Sequence, residues 1–280
     1  MAVKSKSLSF VKLQALGNDM ILLDGLKGSV SISGRFAKKL CHRKLGIGGD
    51  QVLILTKSRK KEADFKMQIF NADGSEAEMC GNGIRCAALY IRNNKYSKKK
   101  DLVIETLAGL RKVYLHTKAI EVNLGEPILK GKDIPANLSG RIINRPLKVD
   151  TKEFRITCLS LGNPHCVIFV ESVDTFPVER FGPLLENHHL FPRRVNVSFA
   201  SLVGPDTIKV RVWERGAGET LACGTGAGAV VVASVLNGYT SRKAKIQLPG
   251  GDLEVHWDKE SNSVSISGPA EEVFEGSYCL

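Results

Sequence analysis

The chain of 280 residues carries 40 Lys and Arg against 29 Asp and Glu, a formal net charge of +11, and 43% of its residues are hydrophobic. This length exceeds the usual size of one domain, so we expect two domains, each with its own hydrophobic core. The first ten residues lack the apolar stretch of a secretory signal, and no apolar run approaches the ~18 residues that a membrane span needs. The composition therefore predicts a cytoplasmic protein that binds no membrane.

The positive charge is spread along the whole sequence. Its densest runs, residues 57–61 and 98–100, contain no aromatic side chains and match no nucleic-acid-binding motif. We interpret the charge as a solvated basic surface and expect no nucleic-acid partner. The seven cysteines are odd in number and include no C-x-x-C pair, which indicates free thiols in a reducing compartment, without a zinc site.

Hydrophobic periodicity predicts a mixture of short strands and a few helices. In chain order we expect a helix at 35–45, a strand at 65–70, a helix at 82–94, strands at 110–115 and 119–124, a helix at 178–187, a strand at 207–213, a helix at 225–237, and strands at 253–257 and 263–267. The strands alternate apolar and polar side chains, as half-buried and mostly antiparallel strands do. The fold class is therefore mixed α+β, and the stretch 125–145, rich in glycine, proline and lysine, marks the crossover between domains.

The two halves of the sequence repeat one set of polar positions. The matched pairs are Asn18 with Asn163, Gln51 with Asn196, Asn71 with Glu214, and Cys80 with Cys223. The first two pairs are 145 residues apart and the last two are 143 apart, an order that chance usage of these residues would seldom produce. We interpret the repeat as two homologous halves. If a pseudo-twofold axis relates them, equivalent residues would face each other across one cleft.

Each cysteine opens the motif Cys-Gly-x-Gly in front of an alanine-rich apolar segment, so we place Cys80 and Cys223 at helix starts. Backbone N–H groups at a helix start bind a carboxylate and favour a thiolate. Because a free thiol has a pKa of about 8.5, a matched pair near neutral pH can supply one thiolate base and one thiol acid. Two such thiols on opposite faces of an α-carbon could invert it. Helix-terminal N–H groups would stabilise the carbanion, so we expect no cofactor and no metal.

Two long motifs contain these cysteines: Asn71-Ala-Asp-Gly-Ser-Glu-Ala-Glu-Met-Cys80-Gly-Asn-Gly-Ile-Arg-Cys and Glu214-Arg-Gly-Ala-Gly-Glu-Thr-Leu-Ala-Cys223-Gly-Thr-Gly-Ala. Three shorter ones are Leu16-Gly-Asn-Asp19, Gly162-Asn-Pro-His165 and Phe191-Pro-Arg-Arg-Val-Asn196. Together they resemble the motifs of the diaminopimelate epimerase family, in the family's order and over nearly the whole chain. The chain departs from the family pattern at Met20, Gly49 and Arg193-Arg194.

The resemblance implies two similar α/β domains related by a pseudo-twofold axis, each a curled, mostly antiparallel sheet around a central helix. The domains would comprise residues 1–125 with 269–280, and residues 126–268, with the active site in the cleft between them. A carboxy-terminal strand near residues 273–278 would return to the first domain. The resemblance also implies a cofactor-independent isomerase, assembled as a homodimer, that interconverts LL- and meso-2,6-diaminopimelate on the route to lysine and peptidoglycan.

Matching motif positions assigns a role to each site residue. The acid/base pair would be Cys80 and Cys223. The reacting carboxylate would be bound by Gly81, Asn82, Gly224 and Thr225. The remaining groups of the substrate would be held by Asn18, Asn71, Asn163, Asn196 and Arg215. Gln51, Glu214 and His165 would line the site, the last two supporting the thiols.

Three other functions remain open at the level of sequence. A proline or hydroxyproline epimerase shares the two-cysteine chemistry, but such enzymes typically carry histidine after the first Cys-Gly, where this chain has Asn82, and they lack the Glu-Arg pair. A related isomerase branch works without the two cysteines. A non-catalytic protein that closes on an amino acid would need neither thiol. The other five cysteines have no repeated context, so we interpret them as structural.

Overall fold

The computed structural model describes residues 7–280. The first six residues of the predicted N-terminal domain lie outside the described residues. They are also part of the segment in which the sequence predicts no secretory signal. The first half contains β1 (Ser7–Ala15), β2 (Asn18–Asp24), α1 (Gly34–Cys41), β3 (Gln51–Lys57), β4 (Phe65–Asn71), α2 (Gly81–Asn93), β5 (Asp101–Thr106), β6 (Gly109–Leu115) and β7 (Ile120–Gly125). The second contains β8 (Ile142–Val149), β9 (Lys152–Ser160), β10 (Pro164–Phe169), α3 (Val178–Glu186), β11 (Asn196–Gly204), β12 (Thr207–Glu214), β13 (Gly218–Thr220), α4 (Gly224–Leu236), β14 (Lys243–Leu248), β15 (Gly251–Trp257), β16 (Val264–Gly268) and β17 (Glu271–Cys279).

The chain divides into two compact units, Met1–Val122 with Gly268–Leu280, and Asn123–Ser267. The sequence predicts the second domain at residues 126–268. Compared with the second unit of the structure, this prediction starts three residues later and ends one residue later. The first difference arises because the boundary falls inside β7, whose continuous backbone carries no turn signal.

The first unit is built on strands in the order β17-β1-β2-β3-β4-β5-β6-β7. The pairs β2–β3 and β4–β5 are parallel, and the other pairs are antiparallel. The carboxy-terminal strand β17 pairs with β1 along its length, so the chain end returns to the first unit as the family resemblance implies.

The second unit has the order β8-β9-β10-β11-β12-β14-β15-β16, with the short β13 paired to β12. Here β10–β11 and β12–β14 are the parallel pairs and the others are antiparallel. The pattern of directions equals that of the first unit, and α1 and α2 occupy the same places in the connectivity as α3 and α4. The repeat of polar motifs in the sequence is therefore also a repeat of topology.

A buried helix lies at the centre of each unit. α2 packs against β1, β2, β3, β4, β6 and β17, and α4 packs against β9, β10, β11, β14 and β15, so each sheet curls around its helix. α4 is apolar on all sides, as a helix surrounded by a sheet must be. The mixed α/β fold with a curled sheet around a central helix is therefore confirmed.

The outer helix of each unit covers the other face of the sheet. In the second unit, α3 closes a core in which the Phe176 ring packs edge-to-face against Phe154 and tilted against Phe199. In the first unit, Leu40 of α1 packs with Ile21 and other side chains of β2 and β3. Strands between two helices bury both faces, which explains the continuous apolar runs in them.

Three of the four predicted helices are found within one residue of their expected bounds, whereas α1 ends at Cys41, four residues before the predicted end. The ring nitrogen Nδ1 of His42 accepts the N–H groups of Lys44 and Leu45, which stabilises a turn in place of another helical turn. The prediction of a helix to residue 45 is wrong for this local reason. Among residues 7–280, no helix is long and apolar enough to cross a membrane.

Gly182 in α3 gives a test of the packing of the second unit. An added Cβ would lie 2.5 Å from the Trp213 ring. Alanine normally stabilises a helix by ~1 kcal/mol relative to glycine, but this overlap reverses the sign. We expect Gly182→Ala to lower the free energy of unfolding in urea by roughly 1–3 kcal/mol. Gly28→Ala, whose Cβ meets no atom within 4 Å, is the matched control and should change stability little. An unchanged or raised stability of Gly182→Ala would contradict the packing.

Candidate active site

The topology brings the predicted polar residues of each unit to one edge of its sheet. Parallel strands β2 and β3 begin at that edge, and the antiparallel strand β4 ends there. The residues so placed are Asn18, Gln51 and Asn71 in the first unit, and Asn163, Asn196 and Glu214 in the second. In both units the cysteine-led helix begins beside this edge. Glycines with positive φ, Gly17 and Gly162, form the hairpin turns that precede the two asparagines.

Cys80 is the N-cap residue of α2. Its backbone is extended, with φ −142° and ψ 113°, and its Sγ accepts the N–H of Gly83 at 3.3 Å. The side chain is half-buried. The first turn of a helix presents N–H groups that have no partner within the helix, and its dipole favours an anion. Cys80 therefore lies where a thiolate, or the carboxylate of a ligand, is stabilised.

Cys223 has the same position and conformation at the start of α4, with φ −125° and ψ 108°, but is only 5% exposed. Burial raises the pKa of its thiol well above the ordinary value, and the Glu214 carboxylate adds to the rise. Hydrogen bonds from Thr225, whose Oγ1 lies 3.6 Å from Sγ, and from the Gly226 N–H lower the pKa in part. Near neutral pH, without a ligand, Cys223 is therefore a thiol.

The second glycine of each Cys-Gly-x-Gly motif makes room for the sulfur. A Cβ on Gly83 would lie 3.6 Å from the Sγ of Cys80 and 3.1 Å from Leu53, and a Cβ on Gly226 would lie 3.3 Å from the Sγ of Cys223. A side chain at either position would press on the thiol or the adjacent core. This requirement explains why the motif repeats with glycine at its fourth residue.

Side-chain amides surround Cys80 in the first unit. The Asn18 Oδ1 lies 3.8 Å from the Sγ of Cys80 and accepts the Nδ2 of Asn82 at 3.2 Å. On its other side, Asn18 donates to Asp50, and Asn82 accepts from the buried Arg85. The predicted residues Asn18, Cys80 and Asn82 thus form one connected group.

Gln51 and Asn71 form a second amide pair in the first unit. They lie directly opposite each other on β3 and β4, and the Gln51 Nε2 donates to the Asn71 Oδ1 at 2.9 Å. The Gln51 Oε1 is buried and has no hydrogen-bond partner among the described residues. A buried acceptor without a partner is costly, so this oxygen is available to a donor on a ligand.

In the second unit, the matching network includes a neutral histidine. The Asn163 Nδ2 donates to the Thr225 Oγ1 at 3.2 Å, and its Oδ1 lies 2.9 Å from the His165 Nε2. Burial, together with the charge of Arg215, lowers the pKa of His165 to about 3. The imidazole is therefore uncharged near neutral pH. It orients Asn163 and, through it, Thr225, whose Oγ1 lies 3.6 Å from the Sγ of Cys223.

Arg215 follows the end of β12 at the same edge of the second unit. Its backbone N–H donates to the Oδ1 of the buried Asn196 at 3.0 Å, and its Nη1 donates to the Arg193 carbonyl at 3.3 Å. The side chain is exposed, and none of the ion pairs among residues 7–280 includes it. Its guanidinium thus retains donors for an external carboxylate.

Glu214 gives a direct test of the electrostatics at Cys223. Because the Glu214 carboxylate raises the pKa of the neighbouring thiol, Glu214→Gln should lower that pKa and increase the thiolate fraction at neutral pH. The expected result is faster alkylation of Cys223 by iodoacetamide at pH 7, measured by peptide mass mapping. Glu219→Gln, which removes an equal charge held by Arg211, is the matched control. Alkylation of Cys223 that is slower or unchanged in Glu214→Gln would contradict this account.

The sequence did not identify two residues that hydrogen-bond to the amides beside Cys80. Asp50 accepts from Asn18, and Arg85 donates to Asn82. Neither has a polar counterpart in the second half, where the matching positions are Val195 and Gly228. Arg85 also lies within the alanine-rich segment that the sequence predicts as an apolar helix. A charged residue inside such a segment is the one signal that could have identified it.

The residues 7–280 contain no cluster of three or more His, Cys, Asp or Glu side chains that could hold a metal ion. Cys158 and Cys166 lie opposite each other on β9 and β10 and are buried free thiols. Their positions fit the structural role predicted from the sequence.

Comparison with known structures defines the class of fold. A hydroxyproline epimerase from Agrobacterium vitis, solved with bound trans-4-hydroxy-L-proline, superposes with a TM-score of 0.73 over 100% of this chain and 94% of that one. The two sequences are 14% identical, so the likeness shows the fold alone. The chain therefore has the mixed α/β fold with curled sheets that this epimerase also has.

Comparison of sequences then shows the family. The family model described as diaminopimelate epimerase matches residues 10–130 and 157–273. The diaminopimelate epimerase of Acetivibrio thermocellus is 48% identical over 279 residues, which cover 98% of this chain and 99% of the relative. That of Desulfitobacterium hafniense is 47% identical over 278 residues, covering 96% and 97%. The chain belongs to the diaminopimelate epimerase family, a family of isomerases, as its motifs predict.

Proposed function

We propose that the protein interconverts LL- and meso-2,6-diaminopimelate by a two-base mechanism with Cys80 and Cys223. The observation that carries the proposal is the matched placement of the two cysteines: each is the extended N-cap of a central helix in a repeated unit. Family membership narrows the substrate to diaminopimelate. The reaction serves the biosynthesis of lysine and of peptidoglycan precursors.

In this mechanism both thiols act on the α-carbon of one substrate molecule. One thiolate removes the α-proton, and the opposite thiol donates a proton to the other face of the carbon. Burial and Glu214 keep Cys223 protonated in the free protein, so Cys223 enters the reaction as a thiol. The N–H groups of the first turns, at Gly81–Asn82 and Gly224–Thr225, bind the carboxylate and stabilise the carbanion.

The remaining polar residues hold the far end of the substrate. Arg215 binds the distal carboxylate, because a guanidinium matches a carboxylate with two parallel hydrogen bonds. The amides of Asn18, Asn71, Asn163 and Asn196 bind the distal amino acid group, and Gln51 offers its buried oxygen to an ammonium donor. Glu214 and the neutral His165 support Cys223 and its neighbours.

The proposal includes a cytoplasmic homodimer that needs neither a cofactor nor a metal. The test is a panel of LL- and meso-diaminopimelate, L-proline and trans-4-hydroxy-L-proline, offered to purified, reduced protein after dialysis against a chelator. Stereoisomers are separated by chromatography. We expect inversion of diaminopimelate alone. Inversion of proline in its place would favour the racemase alternative, and binding without turnover would favour a binding protein. Activity that requires added metal or pyridoxal phosphate would contradict the absence of a cofactor.

A further inference from the structure

A chain of hydrogen bonds beside Cys80 runs in one direction between two charged residues. The Arg85 Nη2 donates to the Asn82 Oδ1 at 2.8 Å, the Asn82 Nδ2 donates to the Asn18 Oδ1 at 3.2 Å, and the Asn18 Nδ2 donates to the Asp50 Oδ2 at 2.9 Å. The carboxylate at the end is paired with Arg43 at 2.7 Å. The two amides therefore lie between a guanidinium and a carboxylate.

The direction of this chain follows from the chemistry of its ends. A guanidinium has only donors and a carboxylate has only acceptors, whereas an amide has one group of each kind. If Asn18 turned by 180°, its oxygen would face the Asp50 carboxylate. If Asn82 turned, its NH₂ group would face the Arg85 guanidinium. Each turn would break a hydrogen bond to a charged group, so both amides are held in one orientation.

This orientation decides which atom faces the thiol. With its nitrogen on Asp50, Asn18 presents its oxygen to the Sγ of Cys80 at 3.8 Å. An amide oxygen accepts the proton of a thiol but gives nothing to a thiolate, whereas an amide N–H would do the opposite. We propose that Arg85 and Asp50 are positioning residues, which lock the amides of Asn82 and Asn18 so that an oxygen faces the sulfur of Cys80.

The burial of Arg85 is otherwise unexplained. The side chain is fully buried in α2, no ion pair among residues 7–280 includes it, and its Nη1 has no hydrogen-bond partner there. Its Nε donates to the Pro269 carbonyl at 3.3 Å. A buried guanidinium without a carboxylate costs more than an apolar side chain of similar size, so stability of the core does not account for it. The hydrogen bond that positions Asn82 accounts for the burial of Arg85.

The second unit has no such lock, because Val195 and Gly228 stand at the matching positions. There the terminal partner of Asn163 is the neutral His165, which does not fix the direction of the amide by charge. The arrangement therefore affects Cys80 and leaves Cys223 unaffected. This asymmetry supplies an internal control in the same molecule.

The experiment must separate orientation from charge. Arg85 carries a charge close to Cys80, and Asp50 belongs to an ionic cluster with Arg43, Asp19 and Lys12. Asp50→Asn keeps the shape but can offer an N–H to the Asn18 oxygen, which lets the amide turn. Asp19→Asn removes an equal charge from the same cluster and leaves the carboxylate that holds Asn18. The two variants form a matched pair.

The readout is the rate at which iodoacetamide alkylates each cysteine at pH 7 without substrate, followed by peptide mass mapping. For Asp50→Asn we expect Cys80 to react about threefold to tenfold faster, the factor that corresponds to one hydrogen bond of ordinary strength. The rate at Cys223 should not change. For Asp19→Asn we expect less than a twofold change at Cys80. Equal changes in the alkylation rate of Cys80 in both variants would show that charge alone causes the effect. An unchanged rate in Asp50→Asn would overturn the proposal that Asp50 fixes the orientation of Asn18.

Turnover gives a second readout, and only this part of the inference rests on the proposed function. Arg85→Met should lower kcat by roughly tenfold to a hundredfold with little change in KM, because misoriented amides misplace the reacting groups. Arg85→Lys, which keeps a donor-only side chain, should recover part of the loss. A loss of kcat in Arg85→Lys as large as that in Arg85→Met would contradict the positioning role. If the epimerase activity itself is absent, the alkylation rates still decide whether the lock exists.

Discussion

Cys80→Ala and Cys223→Ala are each expected to lower epimerisation of diaminopimelate by several orders of magnitude. Each variant removes one of two proton carriers that act as a unit, so the loss of either one stops inversion. Serine variants should be nearly as poor, because a hydroxyl is a far weaker acid than a thiol. The measurement is the initial rate of stereoisomer formation in both directions, with thermal unfolding to verify that the buried Cys223 variant is folded.

Cys279→Ala is the matched control for these variants. Cys279 is an exposed free thiol on β17, outside both helix starts. Its removal should leave the rate unchanged within a factor of about two, as surface substitutions usually do. Near-normal inversion by either Cys80→Ala or Cys223→Ala would contradict the two-base mechanism.

Arg215→Ala is expected to lower kcat/KM for diaminopimelate by roughly tenfold to a hundredfold or more. Loss of a charge-assisted contact to the distal carboxylate costs about 1.5–3 kcal/mol, and a misplaced far end also misaligns the reacting carbon. The side chain is exposed and, among residues 7–280, its guanidinium donates only to the Arg193 carbonyl, so its removal should not destabilise the unit. Steady-state kinetics with the two diaminopimelate stereoisomers measures the effect.

The neighbouring Arg194 provides a control of equal charge. Its guanidinium is paired with Glu186 at 3.2 Å and lies near the same edge. Arg194→Ala should alter stability more than turnover. Unchanged kinetics in Arg215→Ala, or an equal loss in Arg194→Ala, would show that the distal carboxylate is bound elsewhere.

Half-buried strands such as β4, β12 and β15 could be predicted from the sequence because alternation reports one buried face, although β5 and β14 alternate in the same way and were missed. Strands β2, β3, β10 and β11 escaped that rule, since helices cover both faces and their residues are continuously apolar. The central helices were predicted with their starts at the cysteines, because glycine follows the cap in both halves. α1 was overextended, since nothing in the pattern shows that a histidine side chain would close the turn after Cys41.

The candidate site was predictable to the extent that it is repeated. Asn18, Cys80 and their counterparts were found by comparing the halves, and the structure places each set at one edge of its unit. Asp50 and Arg85 were invisible to that comparison because the second half has Val195 and Gly228 in their places. The neutral state of His165 also could not be predicted, because it depends on complete burial beneath the sheet edge.

In the two-base mechanism, one thiol removes a proton and the other delivers a different one. The most direct measurement is epimerisation in heavy water at early conversion, started separately from each stereoisomer, with mass spectrometry of substrate and product. Because sulfur-bound protons exchange with solvent, we expect product that carries deuterium at the inverted carbon in both directions, while recovered substrate stays almost unlabelled. Early product that retains the substrate's own hydrogen would show a single base reaching both faces, and would contradict the two-base mechanism.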